Sequence, residues 1–176
     1  MLALLPALAH AAGDGFALDA RCRDGRAQGP YALRDERGQL RVAGAFDEGV
    51  RTGSFFFWRE NGLRAAHVPY DDNGERQGTV ATWYDGAPGR EPAMRFESEW
   101  RRGVRDGESR SWYADGHPRT RADYAHGRIV RAEAWSEDGR PLDPATARQM
   151  AERDARDADA DEARHDALIR AHMPRC

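Results

Sequence analysis

A glycine-punctuated repeat of about 24 residues constrains this chain more than any other feature of its sequence. Each unit opens on a glycine, has an aromatic residue five positions later, and has another glycine four positions beyond that aromatic. A second aromatic and a further glycine complete the unit. The opening glycines are Gly29, Gly53, Gly78 and Gly107. Because a unit this short cannot bury its own apolar face, the units must stack side by side and share one core.

The residues between these glycines alternate in polarity with a period of two, which is typical of antiparallel strands with one buried face. Asn-Gly and Asp-Gly pairs separate the strands, and such pairs favour two-residue type I′ turns because both central residues need a positive φ. We therefore predict a mainly β protein, a single sheet of successive antiparallel hairpins. The pairs are Asn61-Gly62, Asn73-Gly74, Asp85-Gly86, Asp106-Gly107, Asp115-Gly116 and Asp138-Gly139.

Aromatic residues recur at two fixed positions of the repeat, and a tryptophan holds the first position four times. Such a ladder of tryptophans could form a stacking surface for a glycan or another chain, or it could be repetitive core packing. Recurrence at a fixed position favours the core. The phase-equivalent aromatics are Phe46, Trp58, Tyr70, Trp83, Trp100, Trp112, Tyr124 and Trp135. The first unit departs from the pattern at Arg34, and the third contains an insertion at 86–89.

The spacing Gly-x4-Trp-x3-Gly-x7-Tyr-x2-Gly, found from Gly107 to Gly127, resembles the variant MORN repeat of bacterial YwqK-type proteins. The resemblance covers residues 29–142. It implies a sheet of successive hairpins and a role in interaction, since MORN arrays are linked to protein scaffolding and to lipid surfaces. YwqK-type proteins often carry an antitoxin label, so antitoxin-like neutralisation of a partner toxin is one of the functions that the resemblance implies.

The composition changes after residue 142, where aromatic residues end and Ala, Arg, Asp and Glu dominate. Asp143-Pro144 favours a helix start, with Asp as N-cap and Pro at the first helical position. We predict a helix from Pro144 to His172, solvated on most sides over Ala155–Ala163. Such a helix is about 43 Å long, and four and a half hairpins span about 43 Å. The helix could run back along the sheet, which we favour, or project freely towards a partner.

The N-terminal residues 1–12 resemble the remains of a secretory signal, because an apolar stretch precedes the small-x-small sequence Ala9-His10-Ala11. A plain apolar N-terminus is the alternative, and we favour the signal. The segment is too short to span a bilayer. We therefore expect a periplasmic or secreted protein with four parts: the signal remnant 1–12, an N-terminal segment 13–28, the repeats 29–142, and the C-terminal helix and tail 143–176.

The chain has two cysteines, Cys22 and Cys176, near opposite ends of the mature sequence. An oxidising compartment would allow them to pair, whereas two unpaired thiols are the alternative. We favour the disulfide, which would bring the end of the helix back to the start of the repeats.

The sequence contains no nucleophile elbow, phosphate-binding loop or zinc-protease motif, so we expect no enzymatic activity, no cofactor and no metal. A net charge of −3 argues against nucleic acid as a partner. We expect a non-enzymatic repeat scaffold in the cell envelope that binds an unidentified protein. A module for membrane lipid or envelope polymer is the alternative, besides the antitoxin-like role. The candidate binding residues are Arg110, Tyr113, Arg119 and Arg121.

Two histidines of the predicted helix, His165 and His172, are seven residues apart and could share one helix face. A pH-sensitive contact is one interpretation. Solvent exposure is the default expectation for both.

Overall fold

A computed structural model describes residues 15–87 and 89–176, so the predicted signal remnant 1–12 lies outside the described residues. The described chain forms one ten-stranded antiparallel sheet followed by one helix, and each strand pairs with the next strand in sequence, as predicted. The sheet begins in the segment 13–28. The elements are β1 (Phe16–Arg23), β2 (Arg26–Asp35), β3 (Leu40–Asp47), β4 (Val50–Trp58), β5 (Arg64–Tyr70), β6 (Gly78–Trp83), β7 (Met94–Arg101), β8 (Val104–Trp112), β9 (Pro118–Ala125), β10 (Arg128–Ala134) and α1 (Pro144–Ala171).

The hairpin turns are of two kinds, and the predicted position of the type I′ turns was wrong. Two-residue turns with positive φ at both central residues lie elsewhere, at Asp24-Gly25, Glu48-Gly49, Arg102-Gly103 and His126-Gly127. At Asn61-Gly62 only the glycine has a positive φ, within a longer turn in which Arg59 and Leu63 are hydrogen-bonded. There the Asn61 side chain accepts a hydrogen bond from the Leu63 N–H at 3.1 Å, which favours an Asx turn over the type I′ conformation.

The pair Asp106-Gly107 is not a turn, because it lies inside β8 opposite Tyr124. Gly107 has a φ of +125°, and a Cβ added there would lie 2.8 Å from the Cβ of Glu99 on the neighbouring strand β7. Both the conformation and the close approach of the two strands therefore require glycine at this opening position.

One continuous row of buried side chains crosses all ten strands on the face that carries the helix. Its members lie opposite one another in the strand register, and the row changes from large apolar residues in the first strands to small and hydroxyl-bearing residues in the last. We call it the buried row: Leu18, Leu33, Val42, Phe57, Ala66, Thr82, Phe96, Ser111, Thr120 and Ala134.

The helix α1 crosses this face from β10 back to the start of the sheet, which confirms the return path. Near its start, Arg148 donates a hydrogen bond to the Ile129 carbonyl of β10 at 3.2 Å. Just beyond its end, the His172 carbonyl accepts one from the Tyr31 hydroxyl of β2 at 3.3 Å. The predicted disulfide joins Cys22 to Cys176, with 5.6 Å between their Cα atoms.

Small side chains make the contact between α1 and the middle of the sheet. Ala155 and Ala158 are buried against Phe96, so the prediction that Ala155–Ala163 is solvated on most sides was wrong at these two positions. The shallow alanine side chains allow a largely polar helix to lie flat on the sheet. No helix of the described residues combines the length and the apolar character of a membrane span.

Candidate functional site

The four tryptophans of the first repeat position lie on the sheet face opposite the helix, which we call the helix-free face. Each directly follows a member of the buried row in sequence, and successive strand residues point to opposite faces. All four are only half-buried. The expectation that they form the core was therefore wrong. We call them the tryptophan row: Trp58, Trp83, Trp112 and Trp135.

The helix-facing core uses other aromatics instead. Phe55 and Phe57 are almost fully buried, and three of the four aromatics at the second repeat position, Phe46, Trp100 and Tyr124, are buried on the same face. Tyr70, the remaining one, is half-buried and packs edge-on against Phe55, with 5.6 Å between ring centroids.

A β-bulge lies opposite each of three tryptophans. The strand register slips by one residue opposite Trp58, Trp83 and Trp112, and the extra residues are Ala65, Arg95 and Arg119. A bulge redirects the inserted side chain. Arg95 and Arg119 consequently reach carboxylates of α1 instead of solvent on the helix-free face.

Hydrogen bonds to backbone carbonyls link the successive tryptophan-containing units. In three units, the residue that follows a tryptophan donates a hydrogen bond to the carbonyl of the tryptophan in the next unit. Arg59 donates to Trp83 at 2.6 Å, Tyr84 to Trp112 at 2.8 Å, and Tyr113 to Trp135 at 2.8 Å. Burial raises the pKa of Tyr84, so its hydroxyl remains a donor at neutral pH. These bonds fix the spacing of the tryptophan row.

The row is regular and offers unused hydrogen-bond donors. Its members lie in or directly after every second strand, so neighbours are about 9.6 Å apart across the sheet. Within residues 15–87 and 89–176, the four indole N–H groups have no hydrogen-bond partner. Unlike the N–H of Trp100, they are not buried. Solvent therefore reaches an indole donor at each of the four tryptophans.

The part of the helix-free face formed by β4–β6 is rich in aromatic rings around this row. Phe56 stacks on His67 with 4.7 Å between ring centroids, and it lies 6.1 Å from the Trp58 ring. The Arg64 guanidinium lies 5.0 Å from the centre of the Trp83 ring. Burial, with a smaller contribution from Arg64, lowers the pKa of His67, so this part of the face has a neutral imidazole at neutral pH.

The part formed by β7–β10 is charged but internally neutralised. Arg110 and Arg121 lie directly opposite each other on β8 and β9, and both form ion pairs with Glu108. Arg110 also lies 3.7 Å from Glu97. Neighbouring carboxylates therefore occupy these two arginines, which the sequence marked as binding candidates.

The other two predicted binding residues, Tyr113 and Arg119, lie at the margin of the helix. The Arg119 guanidinium is 5.2 Å from the centre of the Tyr113 ring and 3.1 Å from the Asp154 carboxylate of α1. The four predicted residues thus form two separate pairs on opposite faces, and the structure does not bring them together as one site.

A ladder of ion pairs joins α1 to the sheet, and the sequence analysis did not find it. Five carboxylates of one helix each meet an arginine from a different part of the sheet. Three of these arginines follow a second-position aromatic by five or six residues, which is the signal that could have revealed them. The pairs are Arg119–Asp154 at 3.1 Å, Arg105–Asp159 at 2.7 Å, Arg95–Asp161 at 2.6 Å, Arg76–Glu162 at 2.9 Å and Arg51–Asp166 at 2.6 Å.

Both histidines of the predicted helix, His165 in α1 and His172 directly after it, lie against the sheet, so the default expectation of solvent exposure was wrong. His165 stacks on Phe57 with 4.3 Å between ring centroids, and burial lowers its pKa to about 4. His172 is buried, with its ring 4.6 Å from that of Phe16. His165 is therefore neutral at physiological pH and serves as an aromatic core residue.

The clefts beside α1 are lined by polar side chains that already bind one another. One of about 400 Å³ is lined by Tyr84, Ser111 and the Arg119–Asp154 pair, among others. Asp154 accepts hydrogen bonds there from Ser111 at 2.5 Å and Thr120 at 3.0 Å. In the described part of the chain, no group of three or more His, Cys, Asp or Glu side chains is placed to hold a metal ion.

Comparison of the chain with protein-family models finds no match, and comparison with curated proteins finds none. The resemblance to the variant MORN repeat stays a prediction.

Proposed function

We propose that this protein is a non-enzymatic scaffold of the cell envelope that binds another protein through its helix-free face. The observation that carries this proposal is the tryptophan row, four half-exposed indoles on the one face that no other element of the described chain covers. Trp is enriched among the residues that dominate binding energy in protein interfaces.

The rigidity of this surface also supports a binding role. The hydrogen bonds from Arg59, Tyr84 and Tyr113 hold consecutive tryptophans at fixed separations. These bonds end on backbone carbonyls, so the backbone spacing of the row is set before a partner binds, and preorganisation of this kind lets more of the contact energy appear as affinity. The same hydrogen bonds argue against a role for the row that requires large rearrangement.

A periplasmic or secreted location fits the proposal. The Cys22–Cys176 disulfide is a bond that persists in oxidising compartments, and the sequence predicts a signal remnant at residues 1–12. Binding to anionic lipid has less support, because Glu108 neutralises Arg110 and Arg121 on the same face.

Site-specific photocrosslinking in the native cells tests the proposal. A benzoylphenylalanine replaces Thr79, which is exposed. Thr79 lies on the helix-free face, as does Ala81 two residues later in β6. The matched control carries it at Arg156, exposed on the outer side of α1. We expect a discrete protein adduct only from position 79, lost when Trp58 and Trp83 are replaced by alanine. Equal adducts from both positions, or an adduct that survives the tryptophan replacements, would contradict the proposal.

A further inference from the structure

We propose that the tryptophan row binds a proline-rich segment in the polyproline II conformation, an inference that rests on the proposed function and names the class of its partner. The occupant is a short extended stretch of the partner protein that lies across the strands. Its backbone runs along the row from Trp58 towards Trp135.

The period of the row selects this conformation. A polyproline II helix has three residues per turn and a rise of about 3.1 Å, so every third residue returns to the same side after about 9.3 Å. Neighbouring members of the tryptophan row are about 9.6 Å apart. A β-strand presents the same face every two residues, or about 6.6 Å, and an α-helix advances about 5.4 Å per turn. Of the three conformations, the polyproline helix has the repeat nearest to this spacing with one equivalent residue per tryptophan.

The hydrogen-bond donors of the tryptophan row complement the carbonyl groups of a polyproline II segment. A polyproline II helix makes no internal hydrogen bonds, so all its carbonyl groups are free acceptors. Each member of the row offers an indole N–H that no described residue occupies. Proline rings are flat apolar surfaces that pack on aromatic side chains, as in other domains that recognise this conformation. Ring contact and hydrogen bond therefore recur together once per tryptophan of the row.

The last two tryptophans lie near a proline and a pocket. Pro118 lies opposite Trp112 in the strand register. A pocket of about 390 Å³ lies beside Trp135, between Pro118 and the turn at Asp138-Gly139. This pocket is large enough for the last proline ring of a bound segment.

The number of tryptophans sets the length of the segment. Contact with three tryptophans requires seven residues, because the contacting positions are three apart, and contact with all four requires ten. The row ends at Trp135, so residues of a peptide longer than ten meet no further tryptophan.

Titration with oligoproline peptides tests the inference. The probes are blocked peptides of four, seven, ten and thirteen prolines, and a ten-residue Gly-Ser peptide is the control. We expect affinity to rise at seven and again at ten residues, with no further rise at thirteen and no binding of the Gly-Ser peptide. Measurement by calorimetry keeps the result independent of the fluorescence of the substituted tryptophans.

Substitutions then locate the binding. Trp83→Ala should weaken binding of the ten-residue peptide about tenfold, and Trp58→Ala provides a second variant should the first fail to fold. Trp100→Phe is the matched control, because Trp100 is buried on the helix-facing side, and we expect its affinity to equal that of the unchanged protein. Thermal unfolding monitored by circular dichroism verifies that each variant is folded.

Three results would overturn the inference: no binding of the ten-residue peptide at millimolar concentration, equal affinity for all lengths, or unchanged affinity in a folded tryptophan variant. Binding of β-linked oligosaccharides in place of oligoproline would assign the row to a glycan. If oligoproline fails while the crosslink from position 79 still depends on the tryptophans, the proposed protein-binding function stands and only the class of partner is wrong.

Discussion

The disulfide between Cys22 and Cys176 should provide a large share of the stability of this fold. The bond spans a sequence separation of 154 residues, so it closes a loop that contains nearly all of the folded chain. In the chain-entropy model, a crosslink over a loop of this length destabilises the unfolded state by about 5 kcal/mol at 25 °C. Since small domains have unfolding free energies of about 5–15 kcal/mol, replacement of both cysteines by serine should remove a third or more of the total.

The folded state itself should change little in the Cys22→Ser/Cys176→Ser variant. Contacts independent of sulfur still hold the end of α1, because Ile169 is buried in the main core and Tyr31 donates to the His172 carbonyl. We therefore expect a folded protein with the native circular dichroism spectrum. Only its unfolding should move to a lower denaturant concentration.

Urea unfolding at neutral pH measures this effect. The double variant should lose about 5 kcal/mol and show a steeper dependence on urea, because its unfolded state is less compact without the crosslink. The unchanged protein in reductant and the single variant Cys22→Ser should reproduce the loss. A difference below about 1 kcal/mol between oxidised and reduced protein would refute the reasoning, since it would mean that the crosslink does not restrict the unfolded chain.

Three further predictions concern single residues of the fold. His165 has a pKa of about 4 when folded against an ordinary value of 6.5, so the unfolded state binds its proton first and stability should fall by up to about 3 kcal/mol from pH 6.5 to 4. Urea unfolding across this range should show a weaker decline for His165→Phe. Asp154→Ala leaves Arg119 without its carboxylate and should cost about 3 kcal/mol. A double-mutant cycle with Arg119→Ala checks the coupling, which would be near zero if the pair contributes nothing. Gly107→Ala should destabilise by about 2 kcal/mol or more, because strain and a clash combine, whereas Gly116→Ala has strain without a clash. If both glycine variants lose the same free energy of unfolding, the clash with Glu99 does not add to the cost of a side chain at position 107.

The features that the sequence predicts correctly are those with local causes. Alternation and regularly spaced glycines indicate hairpins wherever they occur, and Asp143 accepts hydrogen bonds from the N–H groups of Ala145 and Thr146 as an N-cap should. The helix was predicted from Pro144 to His172 and is observed from Pro144 to Ala171. The closure by Cys22 and Cys176 could also be anticipated, because helix length and sheet width agree.

The features that the sequence does not reveal depend on which face of a strand is covered. Phe55, Phe56, Phe57 and Trp58 are all aromatic, so a period of two cannot tell which pair faces the helix. The choice is made by α1, whose His165 stacks on Phe57. The ion-pair ladder has a different cause. Spacing marks three of its arginines, but their carboxylate partners are far away in sequence and meet them only after the helix has folded back. The separation of Arg119 from Arg121 follows from a single bulge residue, which spacing does not show.

The return path of α1 makes the repeat copy number of this protein difficult to change. One additional unit would add two strands and widen the sheet by about 9.6 Å. The helix would need six or seven more residues, at about 1.5 Å each, for its last residue to reach Cys22 again. A simple duplication or deletion of one unit would therefore separate the two cysteines and place each helix carboxylate opposite the wrong arginine. Gain or loss of a repeat requires a matching change of nearly two helical turns in α1.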